Sequence, residues 1–390
     1  MLLAFGPRER QHLIAASRRR WRRILSTIAL LWVFTIYARR KHPFSFHPHA
    51  LTASDIHLET QLPSSSSSTS FLSFPASQAL CSAHKWAPYP LRDRRRKIYD
   101  LIMLNTEKDM LEIRLETMAA HVDYFVILQS TTTFTGLVKP LILQEKENWG
   151  RVEKWQKQII YKVVEGMPVN AARTWDLEDF QRNAMMLQGV LGVKDEDKMV
   201  QEGDVLIVAD VDEIVRPAAL RLLRECDIPS RITLRSKFYY YGFQFMHRGE
   251  EWAHPQATVY KGNDTILPAD LRNGEGGNRV RGWWDKADLW NAGWHCSSCF
   301  STVEDMLNKM QSFSHTSLNQ EVFRDKARIV DRVREGKDLW DREGEIYDKI
   351  KNNEDIPEFL KGEGVQRRFR YLLDREGVTA GFTDYKVPGS

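Results

Sequence analysis

Short apolar runs alternate with amphipathic stretches through the middle of the chain. Residues 98–104, 124–128, 159–164 and 205–209 are compact runs rich in β-branched and aromatic side chains. Runs of that length, apolar at nearly every position, read as strands buried on both faces of a sheet. Between them, 109–120 carries Leu111, Ile113, Leu115 and Met118 in a helical pattern, and 176–191 reads as a second helix. Strands and helices in alternation predict an α/β fold. Beyond Pro217, which suits a first helical turn, residues 218–225 read as a short helix. Residues 231–234 and 238–245 read as two strands, and 302–313 and 320–350 as helical. No internal repeat is visible.

The front of the chain follows different rules. Residues 24–38 are uncharged and apolar all round, with Arg18, Arg19, Arg20, Arg22 and Arg23 before them and Arg39, Arg40 and Lys41 after. As a helix they span about 22 Å, short of a hydrocarbon core of roughly 30 Å. Trp21, Trp32 and Tyr37 suit the interfaces, and the arginines can snorkel to lengthen the span. The heavier positive charge ahead of the run favours a cytosolic N-terminus. The expectation is an uncleaved signal-anchor. A cleaved signal peptide would want a small-x-small site soon after the run, and a mitochondrial presequence would be amphipathic. Residues 39–95 contain Pro43, Pro48, Pro63, Pro75 and a serine run at 64–68. Such a segment buries too little surface to offset its ordering entropy and reads as a flexible stem. The expected organisation is a basic cytosolic tail (1–23), the anchor (24–38), the stem (39–95) and a lumenal globular domain (96–390).

Charge sharpens that division. The net charge is +4, yet residues 1–50 hold ten Lys or Arg against one acid, so the rest of the chain is net acidic. The basic pI belongs to the N-terminus, and a nucleic-acid-binding globular domain is not indicated.

The chemistry gathers at the end of the fourth predicted strand, where Asp210-Val211-Asp212-Glu213 follows the apolar run. Ligands bind at the carboxyl ends of strands in open α/β sheets, and two carboxylates there can hold a hard cation that holds a diphosphate. Spacing alone is weak, because Asp195-Glu196-Asp197 repeats it in a polar stretch with no strand before it. His295, in Gly293-Trp294-His295-Cys296-Ser297-Ser298-Cys299-Phe300, is a candidate third ligand beside Asp210 and Asp212. The pair Cys296 and Cys299, with Cys81 and Cys226, leaves zinc, a redox pair and disulfides open. Asn105, Glu107, Asp109 and Arg114 follow the first strand and can contact a nucleotide or simply begin a helix. Trp175, Glu178, Arg182 and Asn183 can be plain faces of one helix. Asn263-Asp264-Thr265 is a glycosylation sequon.

Taken together, these segments resemble glycosyltransferase family 17. The stretch from Tyr99 through Asn105, Glu107 and Asp109 to Arg114 and Leu115 is similar to the family's opening. So are Val122-Asp123-Tyr124-Phe125-Val126-Ile127, Thr133-Phe134-Thr135-Gly136 and Lys139-Pro140-Leu141. Asp210-Val211-Asp212-Glu213-Ile214 resembles its metal motif, and Ala292–Phe300 its most distinctive signature, with Ser314-His315 downstream. The resemblance spans roughly residues 96–345 in the family's order. Gln129 stands where an acid is expected, Ser298 where an aromatic is common, and 246–290 departs most.

The resemblance implies a GT-A-like sheet, Mn²⁺, and type II Golgi membrane topology. It also implies inverting transfer of N-acetylglucosamine from UDP-GlcNAc to a mannose of an N-glycan, in β-1,4 linkage. Asp210, Asp212 and His295 would hold the metal. Asn105, Glu107, Asp109, Arg114, Arg182 and Asp210 would meet the nucleotide sugar, with Arg182 or Lys237 pairing a phosphate. Glu213, Asp285 and Asp288 are the candidate general bases. Other expectations are a transferase with another donor or acceptor, a catalytically silent membrane-tethered glycan-binding protein, and a metal-dependent phosphohydrolase. The last would want more His and Asp clusters.

Overall fold

The structure is a computed structural model that describes residues 49–61, 70–168, 174–277, 285–312 and 319–386. Its first half runs β1 (His49–Ala50), α1 (Ala53–Gln61), α2 (Phe74–Ala83), β2 (Ile98–Met103), α3 (Lys108–Met118), β3 (Tyr124–Gln129), β4 (Ile159–Val163), α4 (Thr174–Ala184) and β5 (Val205–Asp210). Then come β6 (Glu213–Val215), α5 (Pro217–Glu225), β7 (Arg231–Tyr240), β8 (Gly242–His247), β9 (Gln256–Val259), α6 (Pro268–Asn273), β10 (Lys286–Ser297), α7 (Val303–Ser312), α8 (Lys326–Glu335) and β11 (Tyr347–Lys349). Among the described residues, eleven strands join in one sheet with β1-β10-β7-β9-β5-β2-β3-β4 as its spine.

The four apolar runs form one all-parallel block of that sheet, β4-β3-β2-β5. Side chains alternate along β2. Ile98 and Ile102 join α3 residues such as Met110 and Ile113 in one core. Tyr99 and Leu101 face Met185, Met186, Leu206 and Val208 in another. A strand covered on both faces has no polar side to show, which is why these runs lack alternation in sequence. Each fully buried aliphatic side chain contributes about 1.5–3 kcal/mol.

Chain order around β2 decides where a ligand can go. The chain leaves β2 for β3 and β4 on one side, then crosses back to β5 on the other. Met103 at the end of β2 stands opposite Asp210 at the end of β5. The loops leaving these two strands run in opposite directions and open a crevice between them, the general ligand position in open α/β sheets.

Several elements depart from the sequence expectation. Residues 231–240 form one strand rather than stopping at 234, because Ser236 is buried and hydrogen-bonded to Trp252 and His254 backbone. Its turn comes at Tyr241, where φ is 65°. Helix α8 ends at Gly336 in the left-handed conformation, a standard helix stop, so 320–350 is not one helix and β11 pairs with β8 beyond it.

The expected stem also ends earlier than residue 96. β1 pairs with β10, and α2 is strapped to α5. Ser77 donates to Glu225 at 2.5 Å, Arg92 pairs with Glu225 at 3.2 Å, and Cys81 is bonded to Cys226. A few apolar anchors (Leu51, Leu80, Tyr89) and one disulfide override a composition that reads as disordered. The second disulfide is Cys296–Cys299, so neither cysteine pair is a zinc or dithiol site. Residues 24–38, and residues 39–48 and 62–69 of the stem, lie outside the described residues. Among those described, no helix is long and apolar enough to cross a membrane.

The first bridge closes a sequence separation of 145 residues. In the chain-entropy view a loop that long stabilises by about 4–5 kcal/mol, and removal of native disulfides commonly costs about 2–5 kcal/mol. Replacing Cys81 and Cys226 by serine is expected to lower urea-unfolding stability within that range. An unchanged midpoint in both urea and heat would contradict it.

Candidate functional site

A cavity of about 560 Å³ opens at the ends of β2 and β5. Its lining includes Asn105 and Lys139, bonded to each other beside Glu107, Arg182 against Asp210, and Phe238 against Trp252, with Trp340 and Glu345. Asp212 and Lys309 line it as well.

The acid turn is built from beneath by Arg114. Its guanidinium is fully buried and forks onto Asp100, at 2.6 and 2.5 Å. The remaining nitrogen donates to the carbonyls of Asp210 at 3.1 Å and Glu213 at 2.6 Å. Arg114 therefore shapes the turn and does not reach a nucleotide. Asp210 carries an arginine on each oxygen: Arg182 at 3.0 Å and Arg272 at 2.8 Å. Burial pushes its pKa up, and Arg182 and Arg272 more than reverse that, holding the carboxyl well below the usual range.

Asp212 has softer company. Lys309 Nζ is 3.4 Å from one oxygen and His295 Nε2 is 3.7 Å from the other. Burial raises its pKa, but Lys309 and His295 outweigh this and keep it ionised below the ordinary range. His295 arrives by strand pairing, since β10 sets His295 against Glu213 of β6, and Cys296 N–H donates to the Asp212 carbonyl at 3.0 Å. Gly293 makes that approach possible. A Cβ there would meet Ile214 O at 2.5 Å and Ser236 Oγ at 2.8 Å. The glycine of the Gly-Trp-His signature is what lets two backbones close on one another. Trp294 is structural, donating to Asp355 under Arg216.

Elsewhere in the lining, Glu107 accepts from the Asn105 and Thr106 N–H groups at 3.1 and 3.0 Å. Burial raises its pKa above the usual range, with Lys309 opposing. Lys139 reaches Leu104 O and Asn105 Oδ1, both at 3.2 Å, and burial lowers its ammonium to about 8 against the pull of Glu107. Arg182, gripped by Glu178 at 2.7 Å, completes a basic margin.

Other expected residues lie elsewhere. Asp109 is bound to Arg151 and Tyr371 away from the cavity. Glu213 is fully buried among Arg272, Trp252 and the Asp210 N–H, so it has no path to an acceptor. Asp285 accepts from Ser230 N–H at the start of β7, and Asp288 pairs with Arg235. Seven residues of strand separate Asp288 from His295, on the order of 20 Å. Lys237 is tied to Asp355 at 2.5 Å. The three candidate bases are thus a buried ion-pair partner, a strand cap and a surface pair.

Sequence reasoning missed Lys309, Arg272, Trp252, Trp340 and Glu345. Lys309 and Arg272 lie on ordinary amphipathic helices, and their pairing with the acids is purely tertiary.

A hard divalent cation wants oxygen donors and accepts an imidazole. Among the described residues no three His, Cys, Asp or Glu side chains gather around one point. Asp212 and His295 form a two-ligand corner, and the His295 Nδ1 atom is buried without a partner, leaving Nε2 as the nitrogen that faces the acid. That suits Mn²⁺ bound jointly by protein, phosphate and water. Asp210, with both oxygens taken by arginine, does not complete the expected triad.

Over 247 residues the chain is 25% identical to β-1,4-mannosyl-glycoprotein 4-β-N-acetylglucosaminyltransferase of Rattus norvegicus, covering 57% of this chain and 43% of that protein. The Homo sapiens protein of the same name matches at 25%, with 57% and 44% covered. The matched stretch is thus less than half the length of these relatives. Among solved structures, glucosyl-3-phosphoglycerate synthase from Mycobacterium tuberculosis, in complex with Mn²⁺, UDP-glucose and glycerol 3-phosphate, is 12% identical. It covers 57% of this chain and 76% of its own, at a TM-score of 0.31. Mannosyltransferase PcManGT from Pyrobaculum calidifontis, in complex with GDP-Man and Mn²⁺, is 9% identical, with 73% and 75% covered and a TM-score of 0.29. Neither superposition is close enough to transfer a residue. The sequence pattern of glycosyltransferase family 17, by contrast, matches residues 24–353. That range takes in every strand around the cavity, and the chain belongs to glycosyltransferase family 17.

Proposed function

We propose that the protein is an inverting transferase with a GT-A-like sheet. It moves N-acetylglucosamine from UDP-GlcNAc to a mannose of an N-glycan, forming a β-1,4 linkage. We place it in the Golgi lumen, with residues 24–38 as a type II anchor. The observation that carries the reading is the Asp212–His295 pair, which lies beside Lys309 in a cavity that Arg182 also lines, at the ends of β2 and β5. Family membership and the distant similarity to the mannosyl-glycoprotein transferases support the donor and acceptor.

Asp212 and His295 would hold Mn²⁺, which when bound supplies positive charge against the oxygen on which charge develops as the diphosphate leaves. Arg182 and Lys309 border the same space and would pair with phosphate oxygens. Asn105 and Lys139 would face the uridine end. Asp210 would act through its arginines, fixing Arg182 at the phosphate margin.

The full chain in detergent, given UDP-GlcNAc, Mn²⁺ and a biantennary N-glycan, is expected to yield a β-1,4-linked product and to stop on chelation. Turnover of a different nucleotide sugar with UDP-GlcNAc untouched would reject the donor. Unchanged turnover in excess chelator would reject the metal.

A further inference from the structure

Inverting transfer needs one group that the acid turn does not supply. As the acceptor oxygen attacks, a base must take its proton, standing across the anomeric carbon from the departing diphosphate. Five carboxylates line the cavity: Glu107, Glu178, Asp210, Asp212 and Glu345. Asp210 is held by two arginines, and Asp212 faces His295 and Lys309. Glu178 grips Arg182, and Glu107 takes backbone N–H groups at the donor end.

Among the described residues Glu345 is bonded to none of these four. It is held by Tyr347, which shares a cluster with Phe238 and Trp340, and Phe238 lies 5.6 Å from Trp252 between ring centroids, an aromatic end of the cavity lining. Aromatic faces with a few polar groups at their edge make a surface on which a pyranose can pack its C–H face and present its hydroxyls. One ring links this end to the acid turn. Phe238 stacks on His295 at 4.9 Å and meets His247 at 5.2 Å between centroids. His247 Nε2 is in turn 3.4 Å from Glu345 Oε2. Tyr347 donates its hydroxyl to that same oxygen at 2.9 Å, and Arg342 lies 3.9 Å from it. These contacts hold the carboxylate through Oε2.

Building on the proposed transfer reaction, we propose that the aromatic end is the subsite for the acceptor pyranose and that Glu345 is the general base. Glu345 Oε1 takes the proton from the acceptor hydroxyl. That oxygen forms its bond to the anomeric carbon while the bond from that carbon to the diphosphate oxygen breaks, its electron pair leaving with UDP. The carboxyl then returns its proton to solvent.

The test uses the full chain in detergent and whichever nucleotide sugar the wild type turns over. Glu345→Gln is expected to keep UDP affinity by calorimetry and to keep its thermal midpoint. Its kcat should fall by about 10²–10⁴-fold, the usual worth of a positioned base. Trp340→Ala is expected to raise the acceptor KM with UDP affinity unchanged. A Glu345→Gln protein that keeps a tenth or more of wild-type kcat, or that loses UDP affinity in step with kcat, overturns the assignment. Should that variant fold poorly, Glu345→Asp serves instead. It keeps the charge but withdraws it by one methylene, and an undiminished kcat overturns the proposal. Wild-type turnover of a donor other than UDP-GlcNAc would reject the proposed donor alone, and the Glu345→Gln ratio would then be read with that donor.

Discussion

Asp212→Asn is expected to lower sugar transfer by at least about a thousandfold while leaving the protein folded. Charge stabilisation of a leaving group by a bound cation is worth several kcal/mol, and each 1.36 kcal/mol is a factor of ten. Asp212 is the acid free to take part. Its neighbours are a lysine at 3.4 Å and a histidine at 3.7 Å, neither of which binds it tightly. Asparagine keeps its volume, and Lys309 retains an oxygen to approach, so the fold has little to lose. The variant should show a thermal midpoint close to wild type, near-zero transfer and no response to added Mn²⁺. Retention of a tenth of wild-type transfer would remove Asp212 from the reaction.

Glu213→Gln is expected to do the reverse, costing about 3–5 kcal/mol of stability, the usual result of breaking a buried ion pair from one side. Its carboxylate accepts four hydrogen bonds: two from Arg272 at 2.6 and 3.0 Å, one from Trp252 at 2.8 Å and one from the Asp210 N–H at 2.9 Å. A side-chain amide offers one oxygen and turns a donor toward donors. The effect should also depend on pH. Burial raises the Glu213 pKa, Arg272 then overrides it, and the net value lies below the usual one. A depressed carboxyl stabilises above its unfolded pKa of roughly 4.3 and loses that contribution as pH falls through its folded value. The gap between wild type and Glu213→Gln should thus be widest at neutral pH and close on acidification. Denaturant unfolding at pH 7 and below pH 4 measures both. Lost activity with unchanged stability would restore Glu213 as a base.

These two neighbours illustrate what was legible in the chain. The parallel strands announce themselves, because burial on both faces leaves unbroken apolar runs. The acids announce themselves by following such a run. Their division of labour does not. It depends on Arg272, which is 59 residues from Glu213 in sequence, and on Arg114, whose buried fork onto Asp100 looks like any helix-surface arginine. β10 was invisible for a different reason. Its register shifts between Leu289 and Gly293, and Asn291 takes a positive φ of 56°, so no alternation survives. His295 stood out only as a histidine beside a Cys-x-x-Cys pair, and likeness to a family is what strengthened it as a ligand. Glu345 lay in a stretch that reads as helix, and its approach to the cavity depends on the helix stop at Gly336.

The Cys81–Cys226 strap has a practical corollary for truncation. Cutting the chain at residue 96, where composition changes, would discard Cys81 and leave Cys226 as an unpaired thiol. It would also strip β1 from β10, baring the sheet edge. Exposed edges of that kind invite aggregation. A truncated form should therefore begin ahead of His49. Proteolytic nicks between Ala83 and Arg96 would stay hidden until a reducing agent lets the fragment go.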